Sequence, residues 1–124
     1  TLDIPTIDSL CHFPCTLKTY QNINNAYQIF KENNSAQRIY VINDEGHYLG
    51  YLKRKNILCN LDTVEPNLFK DSLIVPSHLP IKNVCQLYLE NEYSHFYEDI
   101  IVLKNQCFYG IVTIKDLLKY LIKK

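Results

Sequence analysis

Two short glycine-centred segments sit 60 residues apart and constrain this chain more than any other feature. The first begins at Arg38-Ile39-Tyr40-Val41-Ile42, passes through Asn43-Asp44-Glu45-Gly46, and returns as Tyr48-Leu49-Gly50-Tyr51-Leu52. Two β-rich runs joined by an Asp/Gly-containing turn predict a hairpin. The second begins at Asp99-Ile100-Ile101-Val102-Leu103, turns at Lys104-Asn105-Gln106, and returns as Phe108-Tyr109-Gly110-Ile111-Val112. After the first hairpin, Ile57, Leu58 and Leu61 suggest a short helix. After the second, Ile114, Leu117, Leu118, Leu121 and Ile122 recur at the i, i+3, i+4, i+7, i+8 spacing of one helical face.

The copies extend upstream. Ile23, Ala26, Tyr27 and Phe30 mark one helical face, and Ile81, Val84, Cys85, Tyr88 and Leu89 mark the same face 58 residues later. A short extended run precedes each helix, at Cys15-Thr16-Leu17 and Leu73-Ile74-Val75. Each unit therefore reads strand, helix, strand, strand, helix. The growth in offset from 58 to 60 places a small insertion near residues 91–98 and a one-residue trim in the second hairpin turn. The chain divides into a lead-in over 1–12, a first repeat over 13–61, a linker over 62–71 and a second repeat over 72–124. The expected fold class is α/β, with the two β-α-β-β-α repeats packed sheet to sheet around a pseudo-two-fold axis. A module of about 60 residues buries only ~60% of its unfolded surface, so neither half is expected to be stable alone.

Charge and composition then remove whole function classes. Thirteen basic residues against thirteen acidic ones leave no global field to hold a nucleic acid. No apolar run approaches the roughly 18 residues of a membrane span, and no signal peptide opens the sequence. At 47% hydrophobic residues the chain is too apolar for disorder. It has no Met, which reads as a domain taken from a longer protein. Five cysteines (Cys11, Cys15, Cys59, Cys85 and Cys107), without a secretory signal, are expected to be reduced, mostly buried small hydrophobes in a cytoplasmic protein.

The repeat resembles the cystathionine-β-synthase (CBS) domain pair, or Bateman module. Gly110-Ile111-Val112-Thr113-Ile114-Lys115-Asp116-Leu117-Leu118 is similar without mismatch to that family's Gly-apolar-apolar-Thr-x-x-Asp-apolar-apolar motif. Gly50-Tyr51-Leu52-Lys53-Arg54-Lys55-Asn56-Ile57-Leu58 keeps the frame but has Lys53 for the Thr and Asn56 for the Asp. The resemblance covers roughly Phe13 to Ile122. A narrower similarity, at Glu98-Asp99-Ile100-Ile101-Val102 and the approach over 91–98, is to CBS pairs lying between EAL phosphodiesterase and GGDEF diguanylate cyclase domains in cyclic-di-GMP signalling proteins.

The resemblance implies a regulatory, non-enzymatic module that senses an adenine nucleotide and modulates attached domains. AMP, ADP, ATP and S-adenosylmethionine are the implied ligands, and no cofactor is required. In the family the motif Thr contacts phosphate or ribose and the motif Asp accepts hydrogen bonds from the ribose diol. Carried over, the ligand-binding residues would be Thr113 and Asp116, with Lys115 reaching a phosphate and Ile74 and Ile100 flanking the base. A second, degenerate site would use Lys53, Arg54 and Asn56. The resemblance also implies a homodimer of CBS pairs and neighbouring domains as partners, with no nucleic acid and no membrane insertion. The competing reading is a ligand-free structural and dimerisation module of a multidomain protein or transporter.

Elementary chemistry supports both. A helix opening directly after a strand presents orphan N–H donors and its positive dipole end to an anion. Yet Thr-x-x-Asp at a helix start is also close to a capping box, worth about 1 kcal/mol with no ligand. Lys53, Arg54 and Lys55 place three cations in a first helical turn, each mildly unfavourable by roughly 0.3–1 kcal/mol. An anionic partner would relieve that conflict, and so would side chains bent into solvent.

Other constellations carry less. Cys11-His12-Phe13-Pro14-Cys15 groups two thiols and an imidazole, but a closed zinc site needs four ligands and His47, His78 and His95 stand apart. No feature supplies an oxyanion hole or an orienting acid for a Cys-His nucleophile, so neither a metal nor a catalytic residue is assigned. The ten tyrosines suggest base stacking, but Tyr27, Tyr40 and Tyr88 fall on predicted core positions. The aromatics within residues 92–97 would suit a partner surface.

Overall fold

In the computed structural model, which describes residues 4–18, 23–54, 68–70, 72–90 and 99–123, the strands run where apolar content is continuous rather than alternating. The middle strand of each sheet, β2 (Arg38–Ile42) in one and β5 (Ile100–Lys104) in the other, is buried on both faces, at Ile39, Tyr40 and Val41 and at Ile100, Ile101 and Val102. A strand flanked by another on each side and covered above and below has no face left for polar residues. β1 (Thr16–Lys18) pairs parallel with β2, which pairs antiparallel with β3 (Tyr48–Lys53). The second half repeats the arrangement with β4 (Ile74–Pro76), β5 and β6 (Cys107–Val112). Each first strand lies one residue further along than its apolar run suggests. Parallel neighbours cannot be joined by a tight turn, so a helix crosses between them. Those crossovers are α1 (Ile23–Glu32) and α2 (Ile81–Glu90), and α3 (Ile114–Ile122) follows β6.

The helices bury only part of the faces their spacing predicts. Ala26 and Phe30 of α1 pack with Leu17, Ile39, Val41 and Leu52. Ile81, Val84 and Tyr88 of α2 pack with Ile7, Val75, Ile100, Val102, Val112 and Leu117. Leu89, expected on that face, is exposed, as are Leu118, Leu121 and Ile122 of α3. One helical stripe of about 100° reaches the sheet, and Leu89 lies just beyond its edge. The expected helix at Ile57, Leu58 and Leu61, the insertion over 91–98 and the aromatics of 92–97 lie outside the described residues.

The chain divides into two compact units, Pro14–Lys70 and Thr1–Phe13 together with Asp71–Lys124. The lead-in thus belongs to the unit of the second repeat. There a 3-10 turn at Ile7–Leu10 buries Ile7, Ile7 N donates to Leu79 O, and Ile81 N donates to Pro5 O. His12 forms a two-way bridge with Ile111 of β6 (N–H···O 2.8 and 3.0 Å). In the other unit Phe69 bridges Tyr51 of β3 in the same way (2.9 and 3.0 Å). These bridges explain the two motif glycines. A Cβ on Gly110 would lie 2.7 Å from His12 O, and one on Gly50 would lie 2.9 Å from Phe69 O.

Candidate functional site

The best-built polar cluster stands where β6 ends and α3 begins. Val112 closes the sheet, Thr113 is extended (φ −88°, ψ 157°), and Ile114 starts the helix. This is the N-cap geometry, and both halves of the capping box are present. The Asp116 amide donates to Thr113 Oγ1 (3.2 Å), and the Thr113 amide donates to Asp116 Oδ2 (3.3 Å). The Thr113 hydroxyl then donates to the same Oδ2 (2.7 Å). A fourth bond comes from the lead-in, with His12 Nε2 2.6 Å from Asp116 Oδ2.

These contacts set the charge state of the carboxyl. Burial alone would raise the Asp116 carboxyl, but hydrogen bonds from the Thr113 hydroxyl, His12 and the Thr113 amide outweigh it. The group is held below its ordinary range, so the acceptor at the helix start is an anion at neutral pH. The sequence around His12, between Cys11 and Cys15, raises metal and thiol chemistry and not a contact with Asp116, because the bridge to Ile111 that brings it there leaves no local signal.

The other sequence-predicted residues are placed differently. Lys115 is exposed on the first turn of α3. Ile100 lies wholly inside the core, so its side chain offers no surface to a base. Ile74 is exposed on β4 and lines an open cleft of about 590 Å³, together with Val75, Pro76, Ser77 and His78 and with residues 103–106 of the hairpin. The cleft lies toward the hairpin turn, where Lys104 pairs with Cys107, whereas Thr113 follows the opposite end, where Ile100 pairs with Val112. The structure therefore joins Thr113 and Asp116 to His12, while Ile100, beside that end of the sheet, is buried in the core and the Ile74 cleft lies toward the other end.

In the first unit the corresponding positions carry other chemistry. The Lys53 ammonium lies 4.7 Å above the Phe69 ring and 5.8 Å from the Tyr51 ring, a cation–π arrangement. Arg54 turns back toward α1. It donates to Phe30 O and Asn33 O (2.7 Å each) and to Ala36 O (2.9 Å), and its guanidinium lies over the Phe30 ring. It thereby satisfies the Phe30 carbonyl in the last turn of α1 and ties down the turn that follows it. Asn56, the third residue of the degenerate site, and Lys55 lie outside the described residues.

The cysteines are quiet. Cys11, Cys15, Cys85 and Cys107 are half-buried and form no disulfide, and burial, with the Asp8 charge, pushes the Cys11 thiol up to about 11. Such a thiol is protonated and unreactive near neutrality. Cys59 lies outside the described residues. Among the described residues no cluster of three or more His, Cys, Asp or Glu side chains could hold a metal ion, and no helix is long and apolar enough to cross a membrane.

Two stretches, residues 7–62 and 68–123, each match the model of the CBS domain family. The chain belongs to the CBS domain family. Solved structures share its fold at low sequence identity. Staphylococcus aureus OpuCA superposes with a TM-score of 0.76 at 15% identity, covering 94% of this chain and 98% of that one. CBSX2 in complex with AMP gives 0.72 at 14% identity, covering 96% and 97%. The soluble part of a magnesium transporter gives 0.75 at 17% identity, covering 98% of this chain and 49% of the other. Comparison with curated proteins finds no match. The two three-stranded sheets and their helices are thus a tandem pair of CBS repeats, a regulatory rather than catalytic kind of module.

Proposed function

We propose that this CBS pair is a cytoplasmic sensor in which the Thr113–Asp116 helix start binds an adenine nucleotide and biases domains attached to the pair. The observation that carries the reading is the ionised Asp116 carboxylate at the first turn of α3, paired with the Thr113 hydroxyl at the cap. A carboxylate accepts from a ribose diol, while the N–H groups of a helix start favour phosphate oxygens. The complex of CBSX2 with AMP supports this class of ligand. Lys115, exposed on the same turn, supplies a cation for the phosphate. The transporter chain, twice the length of the matched region, supports a module that acts on neighbouring domains. A cyclic-di-GMP signalling host fits the same role.

A ligand shifts a module between two shapes only if it binds them with different affinity. The decisive experiment is therefore a titration of the purified pair with AMP, ATP, S-adenosylmethionine and cyclic di-GMP, following heat and melting temperature. A ligand at 100 times its dissociation constant stabilises by about 2.7 kcal/mol. The melting point should rise with one adenine nucleotide, and Asp116→Ala should abolish the rise. Flat titrations with all four would leave the second reading, a ligand-free dimerisation module. Two observations favour that one: the capping box is complete without a ligand, and Leu118, Leu121 and Ile122 expose an apolar run along α3. Sedimentation would then show a dimer.

A further inference from the structure

The Asp116 carboxylate is tied at one oxygen. Thr113 N, Thr113 Oγ1 and His12 Nε2 all meet Oδ2, and none of these bonds uses Oδ1. An ionised carboxylate only accepts, so Nε2 of His12 must carry the proton in this contact. The imidazole comes from the lead-in, outside the motif, and its place is set by backbone. His12 is bridged in both directions to Ile111, next to the strand end that carries Thr113. The His12 side chain is 58% exposed and that of Asp116 20%, so the imidazole braces the carboxylate without sealing it from solvent.

The other half of the chain is an internal control. Phe69 bridges Tyr51 as His12 bridges Ile111, and Lys53 stands where Thr113 stands in the second motif. The Lys53 ammonium lies over the Phe69 ring. The bridging residue thus changes together with the motif position it faces. An imidazole accompanies Thr and Asp, and an aromatic ring accompanies Lys.

We infer that His12 is a positioning residue for diol recognition, fixing Asp116 through Oδ2 so that Oδ1 accepts from a vicinal diol of the ligand. This rests on the nucleotide reading above and adds to it a residue from outside the motif. A side chain already held by its partners has less conformational freedom to lose when a ligand arrives. A site built to accept a hydroxyl also discriminates against the analogue that lacks it.

The test compares AMP with 2′-deoxy-AMP by calorimetric titration of the wild-type pair and of His12→Ala and His12→Gln. Wild type should prefer AMP by about tenfold, the scale of one charge-assisted hydrogen bond. His12→Ala should bring that preference close to unity while 2′-deoxy-AMP binds as before. His12→Gln, whose amide N–H can replace the ring donor, should restore most of it. Should His12→Ala lose its cooperative melt, His12→Phe takes its place with the same expectation. An unchanged preference in the donor-less variant, or no rescue by Gln, overturns the positioning role and leaves the nucleotide site standing. Equal wild-type binding of the two nucleotides overturns diol recognition alone, and no binding of either overturns both readings.

Discussion

Backbone conformation makes two neighbouring residues informative. Asn105 and Gln106, at the tip of the β5–β6 hairpin, both have positive φ (53° and 69°), as a two-residue hairpin of the type I′ kind requires. Asn tolerates that region, whereas Gln incurs a steric cost of about 1 kcal/mol. Gln106→Gly should therefore raise stability by up to about 0.5 kcal/mol in denaturant unfolding, once the looser unfolded chain is counted. Gly110→Ala should do the reverse. Its Cβ meets a backbone oxygen that cannot swing aside, and forced overpacking of this kind costs about 1–3 kcal/mol. Asp116 predicts a pH dependence. Its carboxyl is held low in the folded chain, so the stability it contributes is complete above the unfolded value of about 4 and is lost as pH falls through the folded one. Unfolding measured from pH 6 down to pH 2 should show a shallower acid loss for Asp116→Asn than for wild type.

At the scale of elements, the ends of helices depend on side chains from elsewhere in the sequence. Arg54 follows β3 yet holds carbonyls in the last turn of α1 and in the turn that follows it. Arg54→Met keeps an apolar stem beside Phe30 but removes every donor. It should cost about 1–3 kcal/mol, the scale of part-buried bonds to a charged group, and hydrogen exchange should show α1 fraying first at its C-terminal turn. The strand–helix–strand–strand order shared by both repeats was legible because apolar spacing is a local signal, carried for example by Ala26 and Phe30 or by Ile81, Val84 and Tyr88. The Thr113–Asp116 pair was legible for the same reason, since a capping box spans four residues. His12 was not, because its contact with Asp116 depends on a single bridge over 104 residues, which leaves no periodic trace. The sequence also showed three cations at residues 53–55 without showing where they point. Lys53 lies over aromatic rings and Arg54 over a helix end, so the described part of that run is occupied by its own fold.

The whole molecule is two units whose boundaries cut across the sequence repeat. The lead-in up to Phe13 is part of the unit otherwise formed by the second repeat. It contributes the buried Ile7 side chain, the Ile7–Leu79 and Ile81–Pro5 hydrogen bonds, and the His12–Ile111 bridge. Phe13 sets its ring edge-on against Tyr109, with centroids 5.4 Å apart. A chain beginning at Pro14 would still contain both full motifs, but it would uncover Val75, Ile81 and Val112, which Ile7 joins in one core. Losing a buried Ile side chain alone costs about 2–5 kcal/mol, a large share of the 5–15 kcal/mol typical of a whole domain. The expected outcome is selective. Amide exchange should accelerate at Ile101, Ile111 and Leu117 in the truncated chain, while Val41 and Leu52 keep their protection. Equal loss in both units would mean that they unfold as one, and unchanged exchange at Ile111 would mean that the lead-in adds nothing to the repeat it joins.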